Sequence, residues 1–165
     1  MDANQLKSTQ APLKEKYRAE PAAALVTLRA QGHATGLSCK VETGKAIVEA
    51  GLHPATGGDG TMACSGDMLL EALVACAGVT LRAVATSIGI ALRDALIVAE
   101  GDVDFRGTLG VSKEAPVGFV KIRLTFNLDT DATAEEKATL LKLTERYCVV
   151  LQTIRSGTVV SAQVA

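Results

Sequence analysis

The chain has 165 residues, 48% of them hydrophobic, with 15 glycines and 3% aromatic residues. That describes a globular chain able to bury a sizeable core of Ala, Val, Leu and Ile, and excludes a disordered one. Seventeen Lys and Arg against 18 Asp and Glu leave no electrostatic footprint for nucleic acid or an anionic membrane surface. No apolar run follows the initial Met, so the reading is cytoplasmic by default. In that reducing setting the four cysteines point to catalytic, redox or simply buried thiols, not to a disulfide framework.

Residues 1–20 are polar and read as an N-terminal arm, mobile or packed on a partner, with a short helix over Leu13 to Arg18. Residues 21–165 read as a single domain. The alternation in ALVTLRA, Ala24 to Ala30, suits a half-buried strand with Leu25, Thr27 and Arg29 on one face. A turn over Gly32 to Gly36 follows, then strands at Leu37 to Glu42 and Lys45 to Glu49 joined by a tight Thr43-Gly44 hairpin. Three short-linked strands predict an antiparallel meander. Gly51 to Gly66 has neither a G-x-x-x-x-G-K-[ST] pattern nor a strand-to-helix G-x-G-x-x-G context, which argues against a nucleotide site. It reads as a connecting loop; covering a site or cradling an anion are the other uses of such glycines.

Gly66 to Gly89, GDMLLEALVACAGVTLRAVATSIG, carries apolar residues on nearly every side of a helical projection, which predicts a buried central helix roughly 34 Å long. Ser65 is placed to cap it, with Asp67 in its first turn. Asp67, Glu71 and Arg82 break its apolar run and argue against a membrane span. Cys76 lies near its middle between small residues, Ala75, Ala77 and Gly78. Those neighbours let another chain segment approach the sulfur; equally, a buried Cys serves as a small core hydrophobe.

Ala91 to Phe105 reads as a long strand, Arg106 to Val117 as a turn region, and Gly118 to Leu128 as the clearest strand of the chain. Thr133 followed by Glu136 has the form of a capping box, so a helix is predicted from Ala134, with Cys148 near its end. A short helix or turn at Val149 to Ser156 and a strand over Thr158 to Val164 complete an α+β fold.

An acid ahead of an apolar run, small residues around a mid-helix Cys in DMLLEALVACAGVTL, and a later helix closing on E-x-Y-C-x-V in ERYCVVLQTI resemble the OsmC/Ohr family of thiol peroxidases, here in a divergent OsmC-like branch. The resemblance runs from Ala24 to Val164. It implies an OsmC-like fold: antiparallel sheets around a long central Cys-bearing helix and a second Cys-bearing helix, in an intertwined homodimer. It further implies that Cys76 is the cysteine that reacts with organic hydroperoxide, that Cys148 resolves it, and that an external dithiol restores both, with no cofactor. The family's assisting arginine and acid fall on Arg29 and Asp67. The sequence departs from the family here: Asp67 is one methylene shorter than the family's Glu, and no Pro follows Cys148.

The chemistry needs a thiolate, whereas a free thiol is mostly protonated at neutral pH. Cys76 is too far along its helix to use that helix's dipole, so a cation or hydrogen-bond donor beside it is required. Asp67, nine residues earlier, projects to the opposite side of a straight helix. His33, Cys39, His53 and Cys64 match no zinc spacing; Cys39 reads as core, and Cys64, just ahead of the central helix, as an alternative resolving thiol. The function expected is thus a thiol-dependent peroxidase. The alternative is an OsmC-like protein that carries a small hydrophobic ligand without chemistry.

Overall fold

A computed structural model describes residues 3–35, 38–41 and 50–164; for 3–7, 28–31, 34–35 and 38–41 the description is of the backbone. The elements in chain order are helix α1 (Ala3–Ala19), strands β1 (Leu25–Thr35) and β2 (Ser38–Val41), helix α2 (Ser65–Ser87), strand β3 (Asp94–Asp104), the one-turn helix α3 (Phe105–Thr108), strand β4 (Phe119–Asp129), and helices α4 (Ala134–Tyr147) and α5 (Val149–Ser156). The strands form one sheet in the order β2-β1-β3-β4. β1 and β2 are antiparallel, with Gly32 opposite Val41 and Thr35 opposite Ser38. The turn expected from Gly32 is therefore delayed: pairing with β2 keeps Gly32 to Thr35 in the ladder, where their backbone groups find partners. The strand expected at Lys45 to Glu49 and its Thr43-Gly44 hairpin lie outside the described residues.

The residues group into two compact units, Met1–Ala30 with Glu42–Glu71 and Val98–Thr125, and Gln31–Val41 with Ala72–Ile97 and Phe126–Ala165. In the first, Leu70, Ala99, Val103, Phe105 and Leu109 form the core. Here α1 is longer than the sequence pattern suggested and runs through Pro12. Proline costs a helix one backbone hydrogen bond, and tertiary anchors on either side of it hold the helix in place. Tyr17 is 3% exposed and donates its hydroxyl to the Ala55 carbonyl at 2.8 Å, and Gln10 donates to the Thr56 carbonyl at 3.1 Å. Both acceptors sit in a 3₁₀ turn, Pro54–Thr56, inside the 51–64 loop, so the N-terminal helix clamps that loop. The turn closes on Gly57 at φ 97°, and a side chain on Gly58 would collide with the Leu52 carbonyl. Glycine is dictated at both positions.

The same unit contains the ionic tie of the sheet. Asp102 on β3 accepts from Arg123 of β4, with Nη2 at 2.8 Å, and from Thr27 of β1 at 2.7 Å. One carboxylate thereby joins three strands. In the second unit, Leu73, Val74, Ala77 and Leu81 of α2 are buried together with Ala95 and Ile97 of β3 and Leu140, Thr144 and Cys148 from α4 and its end. By length and mean hydropathy α2 could cross a membrane, but half of its most apolar window is buried within the protein, as in any core helix. The strand expected at Thr158 to Val164 does not form. Among the described residues they pair with no strand, and Val159, Val160 and Val164 are almost fully exposed.

Arg123, and after it Thr27, holds the Asp102 carboxyl well below the usual carboxylate range. A carboxylate with a depressed folded-state pKa adds stability that is complete above its unfolded pKa, about 3.9, and is lost as pH falls through the folded value. Replacing Asp102 by Asn should therefore lower the urea midpoint clearly at pH 7. The difference from the parent should shrink below about pH 4, measured by unfolding at pH 7, 4 and 2.5.

Candidate active site

The second Cys helix begins with the capping box foreseen from sequence. Thr133 Oγ1 accepts from the Glu136 amide at 3.2 Å, and Glu136 Oε2 accepts from the Thr133 amide at 2.7 Å. Fourteen residues later the helix stops at Tyr147. Cys148 N–H still donates to the Thr144 carbonyl at 3.0 Å, but its backbone turns extended, φ −72° and ψ 106°. Its carbonyl then accepts from the Gln152 amide at 2.9 Å and starts α5. Cys148 is thus the last cap of one helix and the first cap of the next, with no exposed surface.

The first amides of a helix have no intrahelical acceptor. Here those of α5 turn toward sulfur: the N–H groups of Val150 and Val149 donate to Cys76, as do the Cys148 thiol and the Thr80 hydroxyl. Cys76 is half-buried. Burial alone pushes its pKa up, but the four donors outweigh burial and hold it below the ordinary thiol value. For Cys148 the balance is reversed. Burial is the largest influence and the proton shared with Cys76 adds to it, while the Leu151 and Val150 amides pull the other way; the result is a thiol pushed up to about 11. Cys76 is thus the more readily deprotonated sulfur, and Cys148 the one that keeps its proton. Next to them runs an apolar groove of about 410 Å³, lined by Val79, Thr80, Ala83, Val84, Ser87, Leu143 and Tyr147.

Two of the four residues singled out from sequence, Cys76 and Cys148, are brought together. Arg29 lies on β1, and its side chain is outside the described residues. Asp67 stands in the first turn of α2 and is not among the described groups that act on Cys76. Burial raises its pKa and His53 opposes that rise; Glu71 is raised by burial and then by Asp67. The cap of α2 also falls one residue earlier than expected. Met68 N–H donates to the Cys64 carbonyl at 3.1 Å, which puts Cys64 at the capping position and Ser65 inside the helix.

Cys64 is half-buried and lines an apolar cavity of about 350 Å³ with Leu69, Val103, Phe105, Val117 and Phe119. His53 stacks on Phe105 at 5.0 Å between ring centroids, and its Nδ1 accepts from the Ala55 amide at 3.0 Å. The exposed His33 faces Asp94 at 3.5 Å, and the Cys39 side chain is outside the described residues. Among the described residues no three His, Cys, Asp or Glu side chains converge as metal ligands. The sequence reading did not single out Thr80 or the α5 amides. Thr80, one turn beyond Cys76, was visible by its spacing, whereas backbone amides carry no side-chain signature.

A sheet with a long Cys-bearing helix, and a second cysteine at a helix junction that acts on the first, define a two-thiol protein of α+β architecture. Residues 58–163 match the OsmC-like protein family, and the chain belongs to that family. Among solved structures it is similar to an OsmC-like hydroperoxide resistance protein from Jannaschia sp. CCS1, determined at 1.70 Å, with 19% sequence identity and a TM-score of 0.57. The match covers 84% of this chain and 91% of that one, and it establishes a shared fold. No curated protein matches the chain.

The opposed shifts order the thiols by reactivity, because alkylation follows the thiolate. At pH 7.5 iodoacetamide should label Cys76 at least tenfold faster than Cys148, read by peptide-resolved mass spectrometry. Cys148 labelling should rise only as the pH nears 11.

Proposed function

We propose that the protein is a thiol-dependent peroxidase that reduces organic hydroperoxides through Cys76 and Cys148. The observation that carries this reading is the hydrogen-bonded pair itself: a donor-stabilised Cys76 accepts from a protonated Cys148. The Cys76 thiolate attacks the terminal oxygen of ROOH, forming an S–O bond as the O–O bond breaks. The departing alkoxide is a stronger base than a thiolate and takes the Cys148 proton, leaving as ROH. Cys76 is then a sulfenic acid beside a newly formed Cys148 thiolate. Attack on the sulfenic sulfur forms the disulfide and releases hydroxide. An external dithiol supplies the two electrons that restore both thiols by exchange.

The groove supports an organic R group, since Val79, Ala83, Val84 and Leu143 give it apolar walls. The hydroperoxide resistance protein of the same fold supports the same class. A homodimer belongs to this proposal too. Tyr147 and Val149, beside Cys148, are 58% and 70% exposed, and the terminal valines are bare; a second copy would cover such surface. A second reading, a carrier of a small hydrophobic ligand, is favoured by the apolar cavity lined by Leu69, Phe105 and Phe119.

One equivalent of cumene hydroperoxide should remove two hydrogens from the reduced parent and cross-link Cys76 to Cys148. The Cys148→Ser variant should stop at a trappable sulfenic acid, and Cys76→Ser should show no change. An unreactive parent that retains a bound lipid or acyl compound through purification would select the carrier. Light scattering should give a dimer; a monomer would remove that part of the proposal.

A further inference from the structure

We infer that His53 is a pH-sensitive latch: its uncharged imidazole holds the 51–64 loop and helix α1 together, and protonation releases them. The latch is independent of Cys76 and Cys148 and of their chemistry. Four amides close the 3₁₀ turn at Pro54–Thr56. Three of them donate to carbonyls: Thr56 to His53 at 2.8 Å, and Gly57 to Pro54 and Gly58 to His53, both at 3.1 Å. The fourth, the Ala55 N–H, donates to His53 Nδ1 at 3.0 Å. A carbonyl accepts at any pH, whereas an imidazole nitrogen accepts only while it carries no proton. Imidazoles gain that proton between about pH 8 and pH 5. On protonation Nδ1–H faces Ala55 N–H, donor against donor, and the cap is lost.

Helix α1 is fastened to this turn. Tyr17 and Gln10 donate to the carbonyls of Ala55 and Thr56, and Thr9 packs so closely on Gly57 that a Cβ there would lie 2.8 Å from its methyl group. On its other side the His53 ring stacks on Phe105, 5.0 Å between centroids and 18° between planes, and Phe105 lines the Cys64 cavity. The latch therefore bears on both α1 and the cavity wall. Among the described residues the carboxylate that acts on His53 is Asp67 of α2, which favours the imidazolium, and the face of Phe105 also accepts a cation. Of the other ionisable groups on the packed elements, Asp59 is engaged by Thr61 and Asp104 by Arg106. Lys14 shares a face of α1 with Gln10 and Tyr17, and Cys64 stands in the cavity wall. The neutral ring is thus held by Ala55 and the charged ring by Asp67, which gives the side chain two states.

The test is peptide-resolved hydrogen exchange of the full chain at pH 8 and pH 5, corrected for the intrinsic exchange rate at each pH. In the parent, protection of residues 53–58 should fall roughly fivefold from pH 8 to pH 5, as for the loss of one net hydrogen bond, and that of residues 9–17 should fall with it. His53→Asn, whose side-chain oxygen can accept from the same amide at either pH, should keep the pH 8 protection at both. His53→Phe, which keeps a ring on Phe105 and loses the acceptor, should show the pH 5 protection at both. His33→Asn should behave as the parent. Equal protection in the parent at the two pH values, or a pH response that persists in His53→Asn, overturns the latch. A turn that loosens while residues 9–17 keep their protection overturns the release of α1.

Discussion

The break between α4 and α5 at Cys148 is the constraint on which the site depends. A continuous helix through this residue would spend the amides of Val149 and Val150 on carbonyls one turn back. Extended backbone at a single position frees them and turns them toward Cys76. It also puts Cys148 at the corner, its own carbonyl and amide both satisfied by the helices it joins while the thiol remains available. The chain thereby gains two amide donors and a second sulfur from a change in one residue's conformation.

The consequence is a thiolate site in which no described charge takes part. A hydrogen bond to a charged group is worth roughly 1.5–3 kcal/mol, so several donors together can exceed the burial cost of a half-exposed thiolate, where one alone would not. The donors are fixed by helices, and salt screens them less than it would a surface cation. The second cysteine shows the same physics with the opposite sign: full burial dominates, and its proton is retained and shared.

Most of the fold was legible in the sequence because its strongest signals are local. The period of β4, the apolar run of α2, the Thr133 and Glu136 box and the short helix after Cys148 all appear where pattern placed them. What was not legible depends on distant partners. The helix through Pro12 stands on Tyr17 and Gln10 reaching the 51–64 loop, and no local propensity encodes that contact. Gly32 looks like a turn residue, yet the facing Val41 keeps it in a strand. The valine-rich end after Thr158 reads as a strand, but sequence cannot say whether a strand has a neighbour. At the site, the cysteines were visible as residues and by resemblance; the groups that tune them were not, since two are main-chain amides and the third, Thr80, looks like any helical threonine.

In the disulfide that the proposed chemistry would form, the burial of Cys148 would decide how the site is opened. An external thiolate meets the disulfide at its half-exposed end, Cys76, and must expel Cys148. Thiol exchange slows as the leaving thiol becomes more basic, and Cys148 is the more basic of the two. The accessible sulfur is therefore the slower one to open, and the sulfur whose attack would release the better leaving group is shut inside the protein. Casual reduction by small monothiols is disfavoured on both counts. In the proposed cycle a dithiol, whose second sulfur captures the mixed disulfide before Cys148 can return, would hold the advantage over a monothiol.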